Sequence, residues 1–267
     1  MVAGLVCGAF AVFRFPLFAQ MTEKPNVEYQ LMDQSLSAPE GEPADAEKAS
    51  RAIIAETNRF RRKNGLESVQ AVEKLDQAAA MLADYMARTG RYGHTADGRR
   101  PSGRAEASGY HFCLIRENIA YQYSSQGFSH QELAEAFTKG WKESKGHRKN
   151  MLSRYATETG VAVAQSSTTG AFYAVQLFAR PRSASVTCRI VNRSSRERRY
   201  QIAEPDEAFP AREYTLPARA TRIHERCRPA VVTFPALDRE VKVEGSRELR
   251  LADSEDGFEV EIESLKQ

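Results

Sequence analysis

The sequence predicts an α/β domain over residues 47–181, with helices on both faces of a small sheet, followed by a small mostly-β domain over residues 182–267. Three observations predict it. Apolar residues recur at intervals of three and four through residues 47–89 and again after Ser129, the period of amphipathic helices. Residues 159–178 read as two β-rich runs around a Ser/Thr/Gly turn ending at Gly170, which is a hairpin pattern. Beyond Pro181 the helical period disappears and short β-branched runs alternate with Pro and Gly.

The first helix is expected over residues 47–63, with Ile53, Thr57 and Phe60 on one face and Asn64-Gly65 as its stop. A second covers about 69–89, where Val72, Leu75, Ala79, Leu82 and Met86 repeat at helical spacing and Gly90 ends the run. Residues 92–109 are turn-rich, with a short helix over 102–108 behind Pro101. Residues 116–122 read as a strand carrying Ile119 and Tyr121. Ser129 and Glu132 form a capping box for a third long helix, whose inner face holds Leu133, Phe137, Gly140 and Trp141. A break at Lys145-Gly146-His147 leads to one short turn through Asn150 and Leu152. The hairpin closes the domain, and helices on both sides of its sheet bury all these faces. The C-terminal region reads as about six short strands in a small sandwich, among them runs at 185–191, 230–234, 240–244 and 258–262. Its cluster Arg193, Arg196, Arg198 and Arg199 reads as a solvated loop, because Glu197, Glu204 and Asp206 lie close by.

Apolar content of 42% and charged content of 27% are those of a globular protein. The net charge of +3 does not mark a nucleic-acid binder. Charge is uneven along the chain, however. Residues 21–50 hold seven acids and two bases, residues 51–181 hold 19 bases and 12 acids, and the remainder balances at 16 each. The central domain thus favours anionic surroundings without requiring them.

The opening run MVAGLVCGAFAVFRFPLFAQ reads as a signal peptide cut near Ala19, or as a membrane anchor, or as a buried helix. Arg14 interrupts it, and no second apolar run exists, which excludes a multi-pass membrane protein. Residues 20–46, acidic and with Pro25, Pro39 and Pro43, read as a flexible linker. The four cysteines have no metal-ligand spacing. Cys7 leaves with a signal peptide and Cys113 then stands alone. Cys188 and Cys227 either bridge in an oxidising compartment or remain two buried thiols.

Three polar segments sit where regular elements end: Tyr92-Gly93-His94-Thr95, Arg116-Glu117-Asn118-Ile119-Ala120, and Trp141 through Asn150. Ends of elements on a rigid scaffold are where sites gather, so His94, Glu117 and His147 are expected to share a polar cleft. In order and separation, Gly93-His94-Thr95, Glu117-Asn118-Ile119-Ala120, Trp141 with Ser144, Gly146-His147-Arg148-Lys149-Asn150-Met151-Leu152 and Thr159-Gly160-Val161-Ala162 resemble the CAP domain of cysteine-rich secretory proteins, antigen 5 and pathogenesis-related 1 proteins. The resemblance covers residues 47–181, about half the chain, and is closest to the shorter bacterial members. It implies an α/β/α sandwich, a secreted or periplasmic location, and a cleft of two histidines and two glutamates. His94, Glu117 and His147 match three of the four, and Ser144 stands where the second glutamate belongs. Glu143 is adjacent but points about 100° away around a helix.

Two imidazoles and a carboxylate are a ligand set for Zn²⁺ or another divalent cation. With metal they can activate water for peptide or glycan hydrolysis; without it a histidine can act as a base oriented by Glu117. The alternative is a hydrogen-bonded cluster that fixes the cleft loops, or a site for a small or apolar ligand. Asn118, Ser144 and Asn150 are expected to support the cleft, and Trp141 to pack in the core. The family supports no single reaction. The leading expectation is an exported binding module whose partner is an envelope protein, a glycan or a lipid. Metal-assisted hydrolysis and lipid carriage are the alternatives.

Overall fold

In the computed structural model the described residues are 44–204, 210–255 and 257–265, all within one compact unit. The expected leader and most of the expected linker lie outside the described residues. Among those described, no helix is long and apolar enough to cross a membrane.

Helix α1 runs Ala46–Lys63, capped by the Asp45 side chain, which accepts from the Lys48 N–H. Strand β1, Gln70–Ala71, follows, and helix α2 begins only at Glu73 and ends at Thr89. The expected start of α2 at residue 69 is therefore corrected. Val72 is extended, because residues 70–71 pair in parallel with the start of β3. Helix α3 is Pro101–Ala107, strand β2 Phe112–Gln122, helix α4 His130–Glu143 and helix α5 Lys145–Met151. The capping box on Ser129 and Glu132 is present. Strands β3, Glu158–Gln165, and β4, Phe172–Pro181, form the hairpin.

The sheet order is β1-β3-β4-β2, so β2 is an edge strand. One face of the sheet packs on α1 and α4 through Ile53, Leu133, Phe137, Trp141, Phe172 and Phe178. The other packs on α2 and α3 through Leu75, Leu82, Met86, Ala105, Val175 and Leu177. This is the α/β/α layering expected. Gly160 explains how closely α2 lies on β3: a Cβ there would sit 2.2 Å from the Leu75 carbonyl carbon. The Asp76 carboxylate accepts from the Val161 N–H at 2.8 Å and fastens the same contact.

The described residues among 186–264 form eight strands rather than the six expected: β5 Val186–Asn192, β6 Arg198–Ala203, β7 Arg212–Leu216, β8 Thr221–Arg226, β9 Ala230–Phe234, β10 Arg239–Val243, β11 Arg247–Ser254 and β12 Gly257–Ser264. Two four-stranded sheets, β10-β9-β6-β7 and β12-β11-β5-β8, share one core of Ile190, Tyr200, Val232, Phe234, Leu249 and Leu251. Arg198 and Arg199 open β6 instead of lying in a loop. Arg198 is held by Asp253 at 2.7 Å and lies over the Phe258 ring.

The pairing of Cys188 with Cys227 is also corrected: Cys227 is bonded to Cys113, with Cα atoms 5.3 Å apart, and Cys188 is a buried free thiol. Alternation along β5 turns Cys188 inward with Val186 and Ile190, opposite His224. Cys227 therefore lies three residues farther along the ladder, about 10 Å away, beyond a disulfide's reach of roughly 7 Å between Cα atoms. Burial pushes the Cys188 thiol up to about 11.

Candidate functional site

The polar segments meet around the free edge of β2. Alternation along this strand places Glu117 and Ile119 on the α2/α3 side, where their neighbours on β4 are Leu177 and Val175. Asn118 faces the opposite layer beside Gln176, which bonds Thr57 of α1. An open strand edge needs its carbonyls satisfied. Asn150 of α5 donates to the Glu117 carbonyl at 3.0 Å. The Ile119 carbonyl accepts from the Tyr92 hydroxyl at 3.1 Å and from the Trp141 indole N–H at 3.2 Å, one from each layer. Trp141 is thus a core residue, only 1% exposed, that also seals the strand edge.

Asn118 donates to the His147 carbonyl at 3.1 Å, and Asn150 donates to the Asn118 side-chain oxygen at 2.9 Å. Arg116 donates to the Asn150 side-chain oxygen at 3.3 Å. This chain of amides fastens α5, and with it His147, to β2. Ser144 is the residue before α5 and caps it without a side-chain hydrogen bond.

The Glu117 side chain is 2% exposed and both its oxygens are engaged. One lies 2.8 Å from His94 Nδ1 and the other accepts from Arg104 Nη2 at 2.6 Å. Arg104, fully buried on α3, also donates to the Asp97 carboxylate at 2.8 Å and to the carbonyls of Arg99 and His94 at 2.9 and 3.0 Å. Pairing and hydrogen bonding of this kind offset the cost of burying a carboxylate. With Nδ1 carrying the proton toward Glu117, the His94 ring presents Nε2 as an acceptor, and the side chain is 51% exposed. His147 is half-buried; burial first, and the nearby His94 second, hold its pKa below the ordinary histidine value. The neutral form of its ring is therefore favoured.

His94, Glu117, His147, Asn118 and Asn150 are thus gathered at one strand edge. The expected three-donor metal centre does not fit this arrangement. Glu117 has no free oxygen for a cation, and among the described residues no group of three His, Cys, Asp or Glu side chains converges as ligands. Glu117 orients His94 instead. Sequence reasoning missed Arg104 and Asp97. Arg104 is the lone base of a seven-residue helix, and its spacing from Glu117 carries no periodic signal. Tyr92 was in view beside His94, but its reach to Ile119 was not.

Fold and site together define an α/β/α domain with additional β-sheet structure after it. Residues 54–178, under half of the chain, match the Cysteine-rich secretory protein family. The uncharacterized protein YkwD of Bacillus subtilis (strain 168) is 27% identical over 125 residues, 46% of each chain. The chain thus spans under half the length of that curated relative. Among solved structures, an extracellular protein containing a SCP domain from Bacillus anthracis is 26% identical, covering 51% of this chain and 41% of its own, with a TM-score of 0.43. An outer surface protein from Borrelia burgdorferi is 19% identical, covering 53% and 98%, with a TM-score of 0.45.

Proposed function

We propose that the protein is an exported binding module of the bacterial envelope, of the CAP type in which Ser144 replaces the second cleft glutamate. Residues 47–181 form the site-bearing domain and residues 182–267 an added β domain that spaces or docks it. The observation that carries a binding rather than a hydrolytic reading is the state of Glu117. Metal-assisted hydrolysis needs a carboxylate free to hold the metal, and hydrolysis through a His94 base oriented by Glu117 would call on the second acid that Ser144 replaces. Glu117 is committed to Arg104 and His94, leaving an exposed imidazole edge on a rigid mount. Export is supported by the Cys113–Cys227 bridge, since such bonds persist in oxidising compartments.

Protein recovered from the envelope or medium of expressing cells is expected to lack the leader and to carry the bridge, both read from its mass. The purified protein is expected to leave peptide and glycan substrates intact. Turnover that is lost in His94→Ala would overturn the binding reading. A bridge-free, leader-bearing protein confined to the cytoplasm would overturn export.

A further inference from the structure

The excess charge of the central domain is gathered where α1, α4 and α5 meet, next to the strand edge just described, since α5 carries His147 as well as Lys145, Arg148 and Lys149. Arg59, Arg62 and Lys63 lie in the last turns of α1, and Lys142, Lys145, Arg148, Lys149 and Arg154 lie along the end of α4, α5 and the residues after it. Two contacts show that these segments form one surface. The half-buried Phe60 ring lies under both Lys142, at 5.6 Å, and Arg148, at 5.1 Å. The buried Arg61 reaches from α1 to the carbonyls of Met151, Ser153 and Ala156 at 2.8, 3.0 and 3.1 Å. Its charge is met by carbonyl dipoles and by no carboxylate among the described residues.

Counted with Arg61, this corner holds nine bases. Its acids are Glu56, Glu67 and Glu143, and Glu56 is already shared between Arg59 and Lys142. Residues 51–181 carry 19 bases and 12 acids in all, so outside the corner ten bases face nine acids. Nearly the whole imbalance of the domain therefore sits on one patch. Seven of its cations, all but Arg61 and Lys142, are exposed. No large exposed apolar side chain of the described residues belongs to it: those are Tyr92, Tyr123, Ile223 and Ile262. A surface that inserts into a membrane combines basic and apolar side chains. A basic surface without them suits a flexible, water-exposed polyanion held by counterion release.

We propose that this corner is a docking surface for a linear anionic polymer with closely spaced phosphate groups, such as an envelope polymer presents. It is independent of the reading given to His94 and Glu117. The test uses the full chain and inorganic polyphosphate as the probe, with binding followed by calorimetry at several salt concentrations. Five neutralised phosphates give a slope of log affinity on log salt of about −3 to −4, using the single-strand coefficient. The triple variant Arg62→Glu, Lys63→Glu, Lys149→Glu changes exposed residues only and is expected to weaken binding more than tenfold, with thermal melts confirming the fold. A control, Arg88→Glu with Arg91→Glu and Arg100→Glu, reverses as many exposed charges elsewhere on the domain and is expected to retain most of the affinity. Equal losses in both variants, a slope near zero, or binding to vesicles of anionic phospholipid without binding to polyphosphate would each overturn the proposal.

Discussion

Arg104 sets the character of the candidate site through a single guanidinium. It balances two acids, Glu117 and Asp97, while fully buried. Arg104→Met keeps much of the volume but strands both carboxylates, and removing one partner of a buried ion pair costs about 3–5 kcal/mol. Urea unfolding is expected to show a loss of that size. A loss below about 1 kcal/mol would mean that Glu117 is not held as described. The same carboxylate was legible in the sequence, both as a ligand and as the group that orients a histidine; its arginine partner was not, because a buried Arg and an exposed one look alike in a seven-residue helix. His147 gives the second prediction. Its folded pKa is lowered, so the folded state prefers the neutral ring. The stability this contributes is full above the unfolded value of about 6.5 and is lost as pH falls through the lower folded value. His224 is lowered by burial, then by Arg222 and Arg226, and acts in the same direction. Stability measured by denaturant titration should fall from pH 7 toward pH 5. His147→Gln should flatten part of that fall, and an unchanged slope would show that His147 does not contribute.

At the scale of elements, α2 and β3 approach until a hydrogen is all that fits at residue 160. Gly160→Ala would drive its methyl into the backbone at Leu75 and Asp76, where nothing can rotate aside. Overpacking of this kind costs about 1–3 kcal/mol, and a melting temperature lowered by several degrees is expected. A melt within one degree of the parent would show that α2 can move. Helices were the most readable elements, because α1, α2 and α4 each carry a sustained apolar stripe and α4 announces itself through Ser129 and Glu132. Strand β1 was absorbed into α2 because two residues leave no period to read. In the C-terminal region β6, β7 and β8 were harder still. Their alternating residues include Arg198, Tyr200, Arg222, His224 and Arg226 on inward or half-buried positions, and polar inward residues blur the two-residue pattern.

At the scale of the whole molecule the α/β/α layers and the sandwich have separate cores. Removing the bridge through Cys227→Ser releases a 114-residue loop in the unfolded chain, and loops of that size correspond to about 4–5 kcal/mol of entropy in the simplest treatment. Unfolding monitored without reductant is expected to show a loss of at least about 2 kcal/mol, whereas Cys188→Ser should leave the effect of added reductant unchanged. If reductant has no effect on the parent protein, the bridge does not strengthen the fold. The pairing was not legible because Cys113 lies 114 residues from its partner, and sequence spacing alone cannot choose among cysteines brought together by two sheets.

The bridge has a mechanical meaning as well. Glu117, Asn118, Trp141, His147 and Asn150 all lie between residues 113 and 227, inside the covalent ring it closes. Tension applied between the two ends of the chain runs through the sulfur atoms and bypasses that ring, so the residues within it cannot be drawn out lengthwise. Stretching single molecules with the bond intact should leave roughly 110 residues, about 400 Å of contour, unextended. Adding reductant should release that length. A protein fixed at one end to an envelope and pulled at the other would keep most of its candidate site in slack chain while the remainder carried the load.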